Sequence, residues 1–173
     1  MKRRKALQSM VVVGAAVTLL PACNFFQDPL KVYENLPLDR VQRDVLSQLS
    51  ETILPKKGMD KLSTPETTLD FMLTMLNDCS PQEDIDKYLA GFTDFQTHLV
   101  KKYNQTFPNL KPAQVTELMT YLTTSEGVPE KMKFFFNTTN GLTQQHFKSS
   151  EYYLKNYLDF EFVPGRYEGC VAM

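Results

Sequence analysis

The sequence predicts an all-α domain, and three observations carry that expectation. Apolar residues recur at three- and four-residue intervals through most of the chain after residue 37. Serine or threonine followed by proline marks two helix starts, with acidic side chains in the turn that follows. No pair of alternating apolar runs joined by a turn signal occurs, as a sheet would require. The expected body is a single compact domain of about five to six helices over residues 38–173, ending in an extended C-terminal tail.

Residues 1–22 read as a signal peptide. Lys2, Arg3, Arg4 and Lys5 form a basic head, an apolar run of eleven residues spans Met10 to Leu20, and small residues end the segment at Ala22. Eleven residues fall well short of the ~20 that a bilayer-spanning helix needs. Arg3 and Arg4, with Leu7 three residues on, resemble a twin-arginine export signal, although Ala6 and Gln8 stand where that signal usually has Phe and Lys. Leu20-Pro21-Ala22-Cys23 resembles a lipoprotein cleavage box with an unusual proline, which marks Cys23 for lipid. The alternative is a general secretory leader with chance arginines and a chance cysteine. Cleavage before Cys23 leaves 151 of the 173 residues, one ordinary domain, and takes the net charge from −1 to −5 by removing four basic residues. An acidic mature chain lacks the basic footprint that nucleic-acid binding requires.

Residues 23–37 hold prolines at 29 and 37, the pair Phe25-Phe26 and no helical period, so they read as a tether. Phe25 and Phe26 suit either a lipid headgroup layer or a partner. Helix one follows from Leu38, with Val41, Val45, Leu49 and Ile53 on one stripe before Pro55 and Gly58 stop it. Thr64-Pro65-Glu66 predicts the start of helix two, which runs to about Asp78 with Leu69, Met72, Leu73 and Leu76 on one face. Ser80-Pro81-Gln82-Glu83 has the spacing of a capping box and opens helix three, to about Tyr103, with Ile85, Tyr88, Leu89, Phe92, Phe95 and Leu99 in period and Gly91 as a weak point. Helix four is expected from Pro112 through Val115, Leu118, Met119 and Leu122 to Gly127, and helix five from Pro129, with Gly141 as an interruption. A last short helix spans Ser150 to about Tyr157.

Chemistry-bearing patterns are scarce. The seven glycines do not form the Gly-x-Gly-x-x-Gly turn of a dinucleotide site, and no Cys-x-x-Cys-His occurs for covalent haem. His98 and His146 are isolated, and each fits a boundary or packing role; Asp94, one turn before His98, could accept a hydrogen bond from it. Glu83, Asp84 and Asp86 suit the positive end of helix three better than an acid/base pair. Met72 and Met75, near Met59, fit core filling better than a soft-metal site. No catalytic, cofactor-binding or metal-binding residue is expected. Cys79 and Cys170 remain once Cys23 is lipidated. In an oxidising compartment they form either a disulfide, whose loop of about ninety residues would stabilise the fold by about 4 to 5 kcal/mol through chain entropy, or two free thiols. Ten of the twenty aromatic residues lie between Phe134 and Tyr167. They serve either an interface or the core.

With these features in place, the chain resembles the gluconate 2-dehydrogenase subunit 3 family. The resemblance rests on the Arg3-Arg4-Lys5-Ala6 leader, the helix end Leu46-x-x-Leu49-x-x-Thr52-Ile53-Leu54-Pro55, and the C-terminal Pro164-Gly165-Arg166-Tyr167-Glu168-Gly169-Cys170, and it covers nearly the whole chain. Thr64 to Asp70 departs from the Gly-Ala-rich stretch usual in the family. The resemblance implies a non-catalytic small subunit beside a large FAD-bearing subunit of the glucose-methanol-choline type, often with a third, cytochrome c subunit that carries haem. It also implies that the leader escorts the folded flavin subunit to the periplasmic side of the membrane, where lipid on Cys23 holds the pair. Composition and position single out Tyr152, Tyr153, Tyr157, Phe160, Phe162, Arg166 and Tyr167 as the contact residues. The alternative is a free-standing envelope lipoprotein that binds a small ligand in a helical cavity.

Overall fold

The computed structural model describes residues 32–54, 62, 64–124, 127–158, 160–161 and 165. The signal peptide, Arg3, Arg4 and Cys23 therefore lie outside the described residues, as do Phe162, Arg166, Tyr167 and Cys170. The helical body begins at Val32. It contains, among the described residues, six α-helices, one short 3-10 turn at Phe107–Asn109 and no strand: α1 (Arg40–Ile53), α2 (Thr68–Cys79), α3 (Gln82–Tyr103), α4 (Pro112–Thr124), α5 (Glu130–Lys148) and α6 (Glu151–Tyr157). The all-α class expected from the sequence is what the chain adopts.

Each start has a local cause, and several differ from the expectation. Asp39 caps α1: its carboxylate accepts from the Gln42 amide at 2.8 Å, and the Gln42 side chain accepts from the Asp39 amide at 3.0 Å. That reciprocal pair fixes the first turn at Arg40 rather than Leu38. Helix α2 begins at Thr68, three residues later than Thr64-Pro65 predicts. The Thr64 hydroxyl donates instead to the Glu66 carbonyl, while Thr67 caps the helix by accepting from the Asp70 amide at 3.1 Å. The capping box expected at Ser80 does not form either; Ser80 ends α2, and Pro81 occupies the N-cap of α3 without a side-chain bond. Glu83 and Asp84 at the start of α3 and Lys101 and Lys102 at its end still match the helix dipole. Asn104 closes α3 in the left-handed conformation, its amide donating to the Val100 carbonyl at 2.9 Å.

The core is the contact of α3 with α5, flanked by α1, α2 and α4. Tyr88, Phe92 and Phe95 from α3 surround Phe135 from α5, with ring centroids 5.0, 5.2 and 5.3 Å from it. All four rings are buried, as are Leu46, Leu49, Met72, Leu73, Leu118 and Leu122 from the flanking helices. Aromatic pairs at these separations contribute about 0.5–1.5 kcal/mol each beyond their area. The Tyr88 hydroxyl, buried among these rings, is satisfied by the Thr139 hydroxyl at 3.0 Å. Burial pushes the Tyr88 phenol far above its ordinary value, so it stays neutral.

Two glycines behave differently from the expectation. Gly91 is the contact point rather than a weak point: a Cβ there would stand 2.1 Å from the Lys131 carbonyl oxygen and 2.8 Å from the Phe135 Cβ. Only glycine lets α3 and α5 come this close. Gly141 does not interrupt α5, which continues through it to Lys148. Val41 also leaves the predicted apolar stripe of α1; it is 65% exposed, and Leu46 takes the core position instead.

Residues 32–37, expected to belong to the tether, pack against the helical body, and the rest of that expected segment lies outside the described residues. Tyr33 and Leu36 are buried in the core cluster, and Asn35 makes two bonds to Asn77 on α2, 3.0 and 3.1 Å long. The Tyr33 hydroxyl donates to Asp70, and the Arg43 guanidinium lies 5.2 Å from the Tyr33 ring centroid while its Nε donates to the Leu38 carbonyl. Residues 32–39 are thus a strap over α1 and α2. No helix among the described residues is long and apolar enough to cross a membrane.

Candidate partner interface

Helix α6 is set at the end of α5 by one short junction. The Ser149 amide donates to the Gln145 carbonyl, and the Ser150 hydroxyl accepts from the Tyr153 amide at 3.2 Å, which ends one helix and caps the next. None of the seven residues of α6 is buried, and none contributes to the core cluster. A helix of two turns has little stability of its own. It is held by rings: Phe147 of α5 lies 5.4 Å from Tyr153 and 6.4 Å from Tyr152, and Tyr157 lies 5.2 Å from Tyr153 and 6.2 Å from Tyr152.

The outer side of this ladder is open. Tyr157 is 62% exposed, Leu158 58% and Phe160 46%. After α6 the chain turns back, with the Leu158 and Phe160 amides both donating to the Leu154 carbonyl. That turn leaves a cavity of about 400 Å³ lined by Ser149, Glu151, Leu154, Lys155 and Phe160. The Glu151–Lys155 ion pair borders it and holds the Glu151 carboxyl below its ordinary range. Apolar rings beside a small cavity with a polar rim are the surface chemistry of protein–protein contact.

Of the seven expected contact residues, the structure brings Tyr152, Tyr153 and Tyr157 together and places Phe160 at the cavity beside Leu154 and Lys155; Phe162, Arg166 and Tyr167 lie outside the described residues. Sequence reasoning missed Phe147, which anchors the ladder from α5, and Leu158. A Leu or Phe within one turn of an aromatic-rich short helix was the available signal. The C-terminal aromatics among the described residues divide between two jobs: Phe135 and Phe136 are core, Tyr152 and Tyr153 are half-buried, and Tyr157 and Phe160 are exposed.

The other candidates are placed as follows. His146 is buried, its Nδ1 3.0 Å from the Thr68 hydroxyl and its ring stacked on Phe71 at 4.8 Å. His98 stacks on Tyr121 at 5.0 Å, nearly parallel. Burial lowers the pKa of both rings; the charge of Lys102 lowers His98 further, and Glu66 partly offsets the shift at His146. Cys79 is exposed with a free thiol, and its expected partner Cys170 lies outside the described residues. No group of three His, Cys, Asp or Glu side chains gathers among the described residues.

A family model, gluconate 2-dehydrogenase subunit 3, matches residues 40–165, which is most of the chain and every helix described above. The chain belongs to the gluconate 2-dehydrogenase subunit 3 family. Among curated proteins and among solved structures, none matches it. The family's name implies a subunit of a dehydrogenase complex, in association with other subunits. The match opens at α1 and closes at Gly165, so the ladder of α6 and the turn carrying Phe160 fall inside the family domain.

Proposed function

We propose that the chain is a non-catalytic accessory and export-escort subunit of an FAD-dependent gluconate or sugar dehydrogenase on the periplasmic side of a bacterial membrane. Its large partner is a flavin subunit of the glucose-methanol-choline type, with a cytochrome c subunit as a further member. Lipid on Cys23 holds the assembly at the membrane, and the Arg3-Arg4 leader carries the folded flavin subunit across it. FAD belongs to the partner, and haem c to the third subunit; in this role the chain needs no cofactor of its own.

The observation that carries the reading is the exposed ladder of α6 within a domain whose family is that of a complex subunit. Tyr157, Leu158 and Phe160 present rings and a branched side chain at low cost in conformational entropy, as interface anchors do. The test is affinity purification of the tagged full chain from its native membrane in mild detergent. A co-eluting protein with a flavin absorbance spectrum is expected, and the double variant Tyr157→Asp, Phe160→Asp should lose it without a change in the helical circular dichroism of the purified chain. A colourless, solitary protein under several detergents would overturn the subunit role.

A further inference from the structure

His146 stands where the body of the domain, the last turn of α5 and the junction to α6 meet. Its ring belongs to the body: it is 1% exposed, stacks on Phe71 of α2 and places Nδ1 3.0 Å from the Thr68 hydroxyl. Its backbone belongs to the junction, where the His146 carbonyl accepts from the Ser149 hydroxyl at 3.0 Å. The next residue does the rest. The Phe147 ring meets Tyr152 and Tyr153, and the Phe147 carbonyl accepts from the Ser150 amide at 3.1 Å and the Ser150 hydroxyl at 2.6 Å. The contacts that seat α6 thus pass through residues 147–150, directly beside His146. These residues can let go without opening the core. The core cluster takes Met132, Phe135 and Phe136 from α5, with Phe134 and Leu142 packed at its margin and no residue beyond. Among the described residues from 146 onward, the buried ones are His146 and Ser150, both polar. Opening this end therefore costs far less than unfolding the domain.

We infer that His146 is a proton-operated latch on the partner interface: the neutral ring holds the end of α5 against α2 and so presents the α6 ladder, and protonation releases the chain from His146 onward while the body stays folded. As regulation of that interface, the inference rests on the proposed function. The chemistry of the ring sets the direction. An imidazolium carries an N–H on both nitrogens. The Thr68 oxygen can accept one of them, but Nε2 is buried with no partner among the described residues. From α2 the ring meets Thr68 and Phe71, neither of which titrates. The Asp70 carboxylate on the same helix takes the Thr67 and Tyr33 hydroxyls. On α5, Lys148 follows two residues on and offers a like charge. Glu66, before α2, is the carboxylate that favours the charged ring, and burial outweighs it, so the folded-state pKa lies below the ordinary value. Once released, the ring regains water. The latch is therefore closed above the ordinary histidine value, and below it the ratio of open to closed chain rises by up to about tenfold per pH unit. One proton can do this only to an element of small intrinsic stability, and the two turns of α6 are such an element.

The test has two arms. In the first, the isotope-labelled full chain in mild detergent is taken from about pH 7 to about pH 5 while carbon shifts are recorded. The Cα shifts of Tyr152, Tyr153 and Leu154 are expected to lose their helical values with the same midpoint as the His146 ring carbons, while those of Phe92, Phe95 and Phe135 keep theirs. His146→Gln and His146→Phe do not titrate, and each should keep α6 helical across the range. Constant α6 shifts in the wild type, a midpoint different from that of the His146 ring, α6 and core shifts that move together, or a folded variant that keeps the wild-type pH dependence would each overturn the latch. In the second arm, capture of the flavin protein from native membrane is compared at the two pH values for the wild-type chain and both variants. The wild type is expected to release its partner on acidification and the variants to retain it. Capture that falls equally in all three would overturn the latch as a control of the interface. A failure of capture already at neutral pH would overturn the subunit role, while the carbon shifts still decide the latch.

Discussion

His146 shows how a single side chain ties two helices together and makes the tie depend on pH. Its ring fills the space between α5 and α2, stacked on Phe71 and bonded through Nδ1 to Thr68, while Nε2 is buried with no protein partner. A neutral imidazole fits that place; an imidazolium would bury a second N–H and a charge. The folded-state pKa therefore lies below the ordinary 6.5, and burial is the cause. The sign follows directly: the unfolded chain takes up the proton first, so stability is full above the ordinary value and falls as the pH drops below it. We expect thermal melts to lose stability between about pH 7 and pH 5. The His146→Gln variant, which keeps a partner for Thr68 and does not titrate, should show a shallower loss. His98 contributes in the same direction and accounts for part of the remaining slope. Equal slopes in wild type and variant would show that His146 is not the titrating tie.

Between elements, the two glycines in long helices predict opposite outcomes from one substitution. Gly91→Ala places a methyl 2.1 Å from a backbone carbonyl of α5, an atom that cannot turn aside, so α3 and α5 must separate. The loss should be about 3 kcal/mol, more than the ~1 kcal/mol that alanine returns to the helix. Gly141→Ala meets nothing within 4 Å and sits inside α5, so the same change should stabilise by about 0.5–1 kcal/mol. Denaturant titration of both variants checks the pair, and a Gly91→Ala chain as stable as wild type would refute the close crossing. The same residues show what the sequence could and could not disclose. Periodicity located the first four of the six helices among the described residues, because it reports which side of a helix meets a core, whereas the last two were placed by the local signals at Pro129 and Ser150. It could not separate Thr64 from Thr67 or Ser80 from Pro81 as caps, since neighbouring residues carry the same local signal and the choice is made by which hydroxyl finds another acceptor. Nor could it show that Gly91 faces Lys131, or that Tyr33 and Leu36 fold back onto α1 and α2, because contacts across forty residues leave no local trace. The aromatic ladder was legible by composition in Tyr152, Tyr153 and Tyr157, whereas the anchoring role of Phe147 exists only once α5 and α6 meet.

For the whole molecule, the arrangement separates what folds the chain from what it offers to others. The core runs from Tyr33 on the strap to Phe136 on α5 and takes no residue from α6, whose rings meet Phe147, one another or solvent. If α6 is a docking element, removing it should abolish partner capture and leave the fold nearly as stable as before. A chain ending after Ser150 keeps the capping residue, the Thr68–His146 contact and every core side chain. It also loses Cys170, and a disulfide from Cys79 would itself contribute about 4 to 5 kcal/mol. The full-length variant Cys170→Ser is therefore the proper reference. We expect the truncated chain to unfold within about 1 kcal/mol of that reference, while capture of the flavin protein survives in the reference and is lost in the truncation. A truncated chain far less stable than Cys170→Ser would place α6 in the folding core. A truncated chain that still captures its partner would move the interface to another face of the domain.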